Sequence, residues 1–232
     1  MDALYEKVRV DGRIVSMAIL IVCGVDENGY RDIITVEPMA EESKSSYGVL
    51  FQNLKDRGLF TPKLIISDAH SGLVSAIRAS FPGASWQRCK VHFMRNILAY
   101  VPQKEKRSFA AVLKEIWLAP TAELARKRAY EVIDFYAKRF PKAVQCLEAG
   151  LEDSLAFYAF PMLDARKISS SNMIERLNRE IRRRTGVVGI FPNESSYVRL
   201  VTTYLMEYAE DWSVSKAYLS RESIAATLLV AA

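Results

Sequence analysis

The chain has 232 residues, of which 50% are hydrophobic and 25% charged, with a formal net charge of +5 and a pI near 9.0. This length and composition predict one substantial globular domain, with room for an insertion, and exclude a disordered chain. The longest uninterrupted apolar stretch, residues 17–23, is too short to cross a bilayer, and no charged-then-apolar leader opens the chain, so we expect a cytoplasmic protein without a membrane partner.

The first third of the chain is predicted to be rich in β-strands. Residues 3–10 and 13–25 flank an Asp-Gly pair, which is a strong signal for a two-residue hairpin turn. A second turn at residues 26–29 leads to a third strand at residues 30–36. These segments predict an antiparallel meander of three strands.

Helices and strands alternate after the meander. A helix is expected at residues 43–57, because apolar residues recur there at i, i+3, i+4 and i+7. A short strand at 63–67, a helix at 71–80 and a strand at 84–88 follow. This element order is that of a ribonuclease H-like core, an α/β fold in which helices flank a mixed sheet and the active site gathers near the ends of the first and fourth strands.

From Lys90 onward the pattern is typical of helices only. Three apolar stripes predict an all-helical insertion, and a fourth predicts a long C-terminal helix. We therefore expect residues 1–89 to begin the core, residues 90–168 to form the insertion and residues 169–232 to complete the core. The stripes are Phe109, Val112, Leu113, Ile116 and Trp117; Ala125, Ala129, Val132, Ile133, Tyr136 and Phe140, after a candidate cap at Thr121; Val144, Leu147, Leu151, Leu155 and Tyr158; and Tyr197, Leu200, Val201, Tyr204, Leu205, Tyr208 and Trp212.

Three acidic residues occupy positions where a folded core can hold a carboxylate without burying it. Asp2 starts the first predicted strand, Asp68 ends a buried-type strand, and Glu175 lies in the first turns of an arginine-rich helix. Three carboxylates brought together can hold two divalent metal ions, the arrangement used for displacement at phosphorus. Taken singly, Asp2 is explained as a frayed terminal residue, Asp68 as a helix N-cap and Glu175 as a first-turn acid favoured by the helix dipole.

An arginine cluster follows Glu175. Residues 176–184 carry five arginines against one glutamate. On a helix, Arg176, Arg179 and Arg183 fall at i, i+3 and i+7, and they form a stripe able to follow DNA phosphates. The alternative is a solvated helix face, which is the usual explanation of a charge run.

Four motifs, in this order, resemble the catalytic region of Mutator-type bacterial insertion-sequence transposases. They are DALYEKVR at residues 2–9, SDAHSGL at 67–73, WQRCKVHFMRN at 86–96 and NMIERLNR at 172–179. The resemblance runs over nearly the whole chain. It implies a DDE transposase that cleaves DNA and transfers strands in the transposition of an insertion sequence, with Asp2, Asp68 and Glu175 as the catalytic and metal-binding triad.

The same resemblance implies the cofactors and partners. Two Mg²⁺ ions, for which Mn²⁺ substitutes, would activate the nucleophile and stabilise the leaving oxygen. The implied partners are double-stranded DNA, at the transposon ends and at the target, and further copies of the chain in a homo-oligomer on DNA. The implied location is the bacterial nucleoid.

The Cys89-x-x-His92 pair lies just after the fifth predicted strand, where this family carries a Cys-x-x-His signature. The resemblance implies that His92 contacts DNA or supports the metal-binding carboxylates. The alternatives are a buried cysteine beside a satisfied histidine, and a zinc site, which lacks a second closely spaced pair of ligands. The predicted DNA contacts include Lys90, His92 and Arg95 besides the arginine stripe, and the predicted supporting residues are Cys89, His70, Trp86 and Asn172.

The front of the chain departs from the family pattern. Full-length relatives carry an N-terminal region that recognises the transposon ends, whereas this chain starts one residue before Asp2. We therefore expect impaired end recognition and a frayed Asp2. The second candidate function is a catalytically inactive remnant that binds DNA or the full-length transposase. A glycosidase with paired carboxylates is a third, disfavoured because the arginines beside Glu175 suit phosphate better.

Overall fold

The computed structural model describes residues 1–230, and it is a mixed α/β structure, as predicted. The strands are β1 (Asp2–Val10), β2 (Arg13–Val25), β3 (Arg31–Met39), β4 (Leu64–Ser67) and β5 (Ser85–Arg88). The α-helices are α1 (Lys44–Asp56), α2 (Ser71–Ser80), α3 (Lys90–Ala99), α4 (Lys106–Trp117), α5 (Ala122–Tyr136), α6 (Pro141–Ser154), α7 (Ala165–Ile168), α8 (Asn172–Thr185), α9 (Glu194–Val214) and α10 (Arg221–Val230).

The meander of three antiparallel strands is confirmed, in the order β1-β2-β3. Asp11 and Gly12 have φ angles of 47° and 77°, the left-handed conformations that a two-residue type I′ turn requires. The second turn is held by the Asp26 side chain, whose Oδ1 accepts the backbone N–H groups of Asn28 at 3.0 Å and Tyr30 at 2.8 Å. Local turn chemistry therefore sets the register of the whole sheet.

The third strand is longer than predicted. It was expected to end at residue 36, but β3 continues to Met39, with Pro38 opposite Ile19. A proline has no N–H to donate, so it suits an edge strand, and β3 is the outer strand of this sheet. The extension was missed because proline usually signals the end of a strand.

The two sheets meet at the start of β1. β4 and β5 form a parallel pair, and the Met1 amino nitrogen donates to the Ile66 carbonyl of β4 at 2.8 Å. This hydrogen bond places the first residues of β1 beside the carboxyl end of β4. Asp2 and Asp68 are therefore brought to neighbouring positions although they are far apart in sequence.

Beyond β5 the described chain is helical apart from an isolated bridge between Val8 and Phe191, so the predicted change of pattern is confirmed. Helices α3 to α6 share one apolar core, which contains Phe93, Leu113 and Leu147. The buried Gln87 of β5 joins the β4-β5 pair to these helices. Its Nε2 donates to the Ser154 carbonyl at 2.9 Å, and its Oε1 accepts the Phe157 N–H at 2.7 Å.

Two of the predicted stripes differ from the structure. Helix α6 ends at Ser154 and a 3-10 turn follows (Ala156–Ala159), so Leu155 and Tyr158 continue the core without continuing the helix. Leu200 was expected in the core, but it is 40% exposed. Helix α9 packs on β3 and α8 with a narrower face than its long apolar pattern indicated.

Among the helices within residues 1–230, none is both long enough and apolar enough to cross a membrane.

Candidate active site

Asp2 is held firmly in the sheet. It pairs with Ile21 in β1, its residue is 8% exposed, and its Oδ2 accepts a hydrogen bond from Asn178 Nδ2 at 2.9 Å. The expectation that Asp2 would fray is therefore wrong, because strand pairing and a side-chain bond from α8 fix it. Burial raises the pKa of Asp2, and the charges of Asp68 and Glu175 add to that rise, while His92 and the Met1 amino group oppose it.

Glu175 lies in the first turn of α8, where its backbone N–H bonds to the Ser171 carbonyl at 3.0 Å. Its side chain is 21% exposed and reaches towards α3. There its Oε1 accepts from His92 Nε2 at 2.8 Å and from an Arg95 guanidinium nitrogen at 3.3 Å. Glu175 is therefore directed at the first turns of α3 and not into solvent.

His92 lies between the two carboxylates. Its Nε2 is 2.8 Å from Glu175 Oε1 and 3.9 Å from Asp2 Oδ1, so both acids converge on one ring nitrogen. The neighbouring Cys89 side chain, helped by the charges of Asp2 and Glu175, raises the pKa of His92 to about 9 against the opposing effect of burial. His92 thus carries a positive charge at neutral pH, and it connects β1 with α8.

Cys89, three residues before His92, joins the start of α3 to the start of α8. It is fully buried at the N-terminal cap of α3, and both the backbone N–H and the hydroxyl of Ser171 lie 3.3 Å from its sulfur. Burial tends to raise the pKa of Cys89, but the donors of His92 and Ser171 outweigh it and lower that pKa. This polar junction positions the start of α3 against the start of α8.

Asp68 follows β4 and is positioned by its neighbours in sequence and in β5. Its Oδ1 accepts the His70 backbone N–H at 3.3 Å, and its carbonyl accepts the Ser67 hydroxyl at 2.8 Å. Trp86 Nε1 in turn donates to Ser67 Oγ at 2.9 Å. Among the described residues, no hydrogen bond joins the Asp68 side chain to Asp2 or Glu175. The negative charge of Asp68 nevertheless contributes to the raised pKa of Asp2.

The predicted arginine stripe is exposed along one side of α8. Arg176, Arg179 and Arg183 are all exposed, while Ile174, Leu177 and Ile181 pack on the meander from the opposite side. Arg183 pairs with Glu180 at 2.8 Å. The stripe, which we call the α8 ridge, begins next to Glu175.

Three other predicted site residues, Lys90, His70 and Asn172, have their own local contacts or exposure. Lys90 starts α3, where its backbone N–H bonds to the Ser169 carbonyl at 3.1 Å and burial lowers its pKa. His70 contacts the Tyr47 ring at 5.9 Å between centroids, and its Nδ1 is buried without a partner among the described residues. Asn172 is exposed as the first residue of α8.

Sequence reasoning missed two polar residues of the site, Asn178 and Ser171. Asn178 is 7% exposed on the otherwise apolar side of α8, three residues after Glu175. A polar residue on an apolar helix face was the signal that could have identified it, because such a group needs a buried partner. Ser171 had no comparable signal, since serine before a helix is common as a cap.

The side chains around Asp2 offer oxygen donors of the kind that suit the divalent metal implied by the family. Carboxylate and amide oxygens are the ligands that Mg²⁺ prefers, and the buried Asn178 Oδ1, beside Asp2, has no partner among the described residues. Among the side chains that the structure describes, residues 1–228, no three His, Cys, Asp or Glu side chains enclose a common point suited to a metal ion. The chemistry of Asp2, Asp68 and Glu175 fits Mg²⁺, and the protonated His92 lies between two of them.

Comparison with known proteins gives the same family along most of the sequence. Residues 1–215 match the family described as "Transposase, Mutator family". The transposase for insertion sequence element IS1081 of Mycobacterium tuberculosis is 41% identical over 221 residues, which are 95% of this chain and 53% of that protein. The transposase for insertion sequence element IS256 in transposon Tn4001 of Staphylococcus aureus is 41% identical over 216 residues, 92% of this chain and 55% of that protein.

A third relative extends the match slightly. The transposase for insertion sequence element ISRM5 of Rhizobium meliloti is 39% identical over 226 residues, covering 97% of this chain and 56% of that protein. The chain thus spans about half the length of the curated relatives it matches. With a family match over most of its residues and several relatives near 40% identity, the chain belongs to the Mutator family of transposases.

Proposed function

We propose that this chain forms the catalytic region of a DDE transposase, which cleaves DNA and transfers strands in the transposition of an insertion sequence. One observation carries the proposal: the carboxylates of Asp2 and Glu175, from opposite ends of the sequence, converge on His92. A fold gains no stability from gathering acids unless a cation compensates them. The names of the relatives make DNA the substrate that such a site would serve.

The proposal includes a ribonuclease H-like fold for the core. An antiparallel meander is followed by a parallel β4-β5 pair, and the Met1 to Ile66 hydrogen bond brings β1 beside β4. The two sheets are separate, and this hydrogen bond sets the carboxyl end of β4 beside the start of β1. Asp68 and Asp2 occupy these two positions, which supports the assignment.

Each site residue has a separate role in the proposed reaction. Asp2, Asp68 and Glu175 would hold two Mg²⁺ or Mn²⁺ ions, which supply an activated water or 3′-hydroxyl and stabilise charge on the leaving oxygen. Asn178 fixes the Asp2 carboxylate by its hydrogen bond at 2.9 Å. His92 and Arg95 orient Glu175, and both are cations at the entrance to the carboxylates, where a DNA phosphate would approach.

The proposed partner is double-stranded DNA. The α8 ridge presents Arg176, Arg179 and Arg183 on one exposed side of the helix that carries Glu175, so phosphates bound there would be aligned with the carboxylates. Lys90 and Arg95 extend the basic surface at the start of α3. We also propose that copies of the chain form a homo-oligomer on DNA and that the protein is located at the nucleoid.

Nicking of supercoiled plasmid in the presence of Mn²⁺ tests the function. We expect the parent protein to convert plasmid into the nicked circle, and we expect Glu175→Gln to abolish this because it removes a carboxylate ligand while preserving shape. The control is Glu148→Gln on the exposed side of α6, which should nick like the parent. Equal nicking by Glu175→Gln would contradict the assignment, and DNA binding without nicking by the parent would favour the inactive remnant.

A further inference from the structure

A cleft of about 690 Å³ lies between the β2-β3 turn, α7 and the segment joining α9 to α10. Its volume is within the range of about 300 to 1,000 Å³ that is usual for ligand sites. None of the predicted catalytic residues lines it. The side chains that matter to its chemistry are those of Tyr30, Lys167, Lys216, Tyr218, Arg221 and Glu222.

The walls of this cleft are tied together by the backbone. The N–H groups of Tyr218 and Leu219 both bond to the Gly29 carbonyl, at 2.8 and 3.2 Å. Gly29 has a φ angle of 88°, and a Cβ added there would lie 1.9 Å from the Leu219 carbonyl oxygen. Only glycine permits this close approach, so the β2-β3 turn and the segment after α9 form one built structure.

Two cations are held on the Tyr218 ring. The Arg31 guanidinium lies 4.9 Å from the centre of this ring and 4.5 Å from that of Trp212. Lys167 Nζ lies 5.2 Å from the Tyr218 ring and donates to the Tyr218 carbonyl at 2.5 Å. Cation–π contacts of this kind hold positive charges in place without neutralising them.

The charge of the cleft is therefore largely uncompensated. In the part of the chain that the structure describes, the lining cations Lys167, Lys216 and Arg221 form no ion pair within 4.0 Å, and Glu222 is the one acid that lines the cleft. Arg31 lies behind the lining, over the Trp212 ring, and Trp212 packs in the same apolar core as Ile174 and Leu177 of α8. The cleft is therefore a neighbour of the helix that carries the α8 ridge.

We propose that this cleft binds the sugar–phosphate backbone of the DNA strand that passes the catalytic carboxylates, as a contact separate from the α8 ridge. The inference rests on the proposed function, since DNA is the polyanion that the family acts on. Phosphate is favoured because three cations, Lys167, Lys216 and Arg221, line one concave space. Tyr30, which is 41% exposed and also lines the cleft, offers an apolar surface to a deoxyribose or base.

The test compares two double variants of equal charge. Lys216→Gln with Arg221→Gln neutralises exposed cations of the cleft, while Lys127→Gln with Lys138→Gln neutralises exposed lysines of α5 and the residues just after it. Binding to a blunt 30-base-pair duplex is measured by fluorescence anisotropy across a salt series. We expect the cleft variant to flatten the log–log salt dependence by up to about 0.9 per lost phosphate contact, and the control variant to keep the parent's slope.

The outcomes are separable. If the cleft variant binds with the affinity and slope of the control, while the parent still binds DNA and nicks it with Mn²⁺, the cleft is not a DNA site and the proposed function stands. If the parent neither binds nor nicks DNA, both proposals are overturned. Equal melting temperatures verify folding, and Lys216→Gln alone, which leaves α10 unchanged, should give about half the change in slope if the double variant is unstable.

Discussion

At the scale of single residues, the site depends on polar groups that satisfy one another away from water. Asp2 is nearly buried, and the direct contacts to its carboxylate come from Asn178 and, at a longer distance, from His92. A buried carboxylate without donors would be protonated or would destabilise the fold. Asn178 is therefore as necessary to the position of Asp2 as the strand that carries it.

The Asp2 to Asn178 bond gives a prediction on stability. Asn178→Ala should lower the free energy of unfolding by about 1.5 to 3 kcal/mol, because a hydrogen bond to a charged group is lost and a buried carboxylate oxygen is left unpaired. Urea denaturation of Asn178→Ala, Asp2→Ala and the double variant measures the coupling between the two residues. We expect a coupling of about 1 kcal/mol or more; additive effects of the two substitutions would show that the bond contributes nothing.

At the scale of elements, α8 serves three surfaces at once. Ile174, Leu177 and Ile181 anchor it to the meander, Glu175 and Asn178 face the site, and the α8 ridge faces solvent. Arg184 is different from the ridge residues, since its guanidinium lies 3.9 Å from the centre of the Tyr204 ring on α9. The helix therefore links the position of the acid to the position of the basic surface.

The α8 ridge gives the second prediction. Replacement of Arg176, Arg179 and Arg183 by Ala should weaken binding to any duplex and flatten its log–log salt dependence by up to about 0.9 per lost contact. The matched control replaces Lys127, Lys138 and Lys142, which are exposed in the helical insertion, by Ala. Anisotropy titrations at several salt concentrations measure both. Should the ridge variant retain the parent's slope, the arginines are a solvated face and the DNA path lies around Lys90, His92 and Arg95.

At the scale of the whole molecule, the proposed site draws its residues from four separate parts of the chain. Asp2 comes from the meander, Asp68 from the end of β4, His92 from the first helix after β5, and Glu175 from α8. Acids collected in this way repel one another, and their burial adds to the cost. A ligand that binds the folded state alone and neutralises them should stabilise the molecule.

A metal titration tests this assembly. The melting temperature of the parent should rise with millimolar Mg²⁺ or Mn²⁺. The free energy of unfolding should increase by RT ln(1 + [L]/Kd), or about 2.7 kcal/mol at a hundredfold excess of metal over Kd. Asp68→Asn should abolish the rise. Asp134→Asn, at an exposed position of α5, is the charge-matched control and should keep it. An unchanged melting temperature of the parent would count against the proposed metal site.

Much of the fold was predictable because its signals are local. The Asp11-Gly12 turn and the helices expected at residues 43–57 and 71–80 each depend on neighbouring residues, and all three agree with the observed elements. Errors arose where distant partners decide, as for β3, whose extension past Pro38 depends on its place at the sheet edge. The exposure of Leu200 likewise depends on which part of α9 finds a partner.

The sequence by itself determined the family and the order of the elements, because motifs and periodicity are properties of adjacent residues. Only the tertiary structure decided that Asp2 is fixed, that Asn178 bonds to it, and that His92 lies between Asp2 and Glu175. It alone also brought Arg31 and Lys167 onto the Tyr218 ring. These contacts join residues far apart in the chain, so their distances follow from packing and not from spacing.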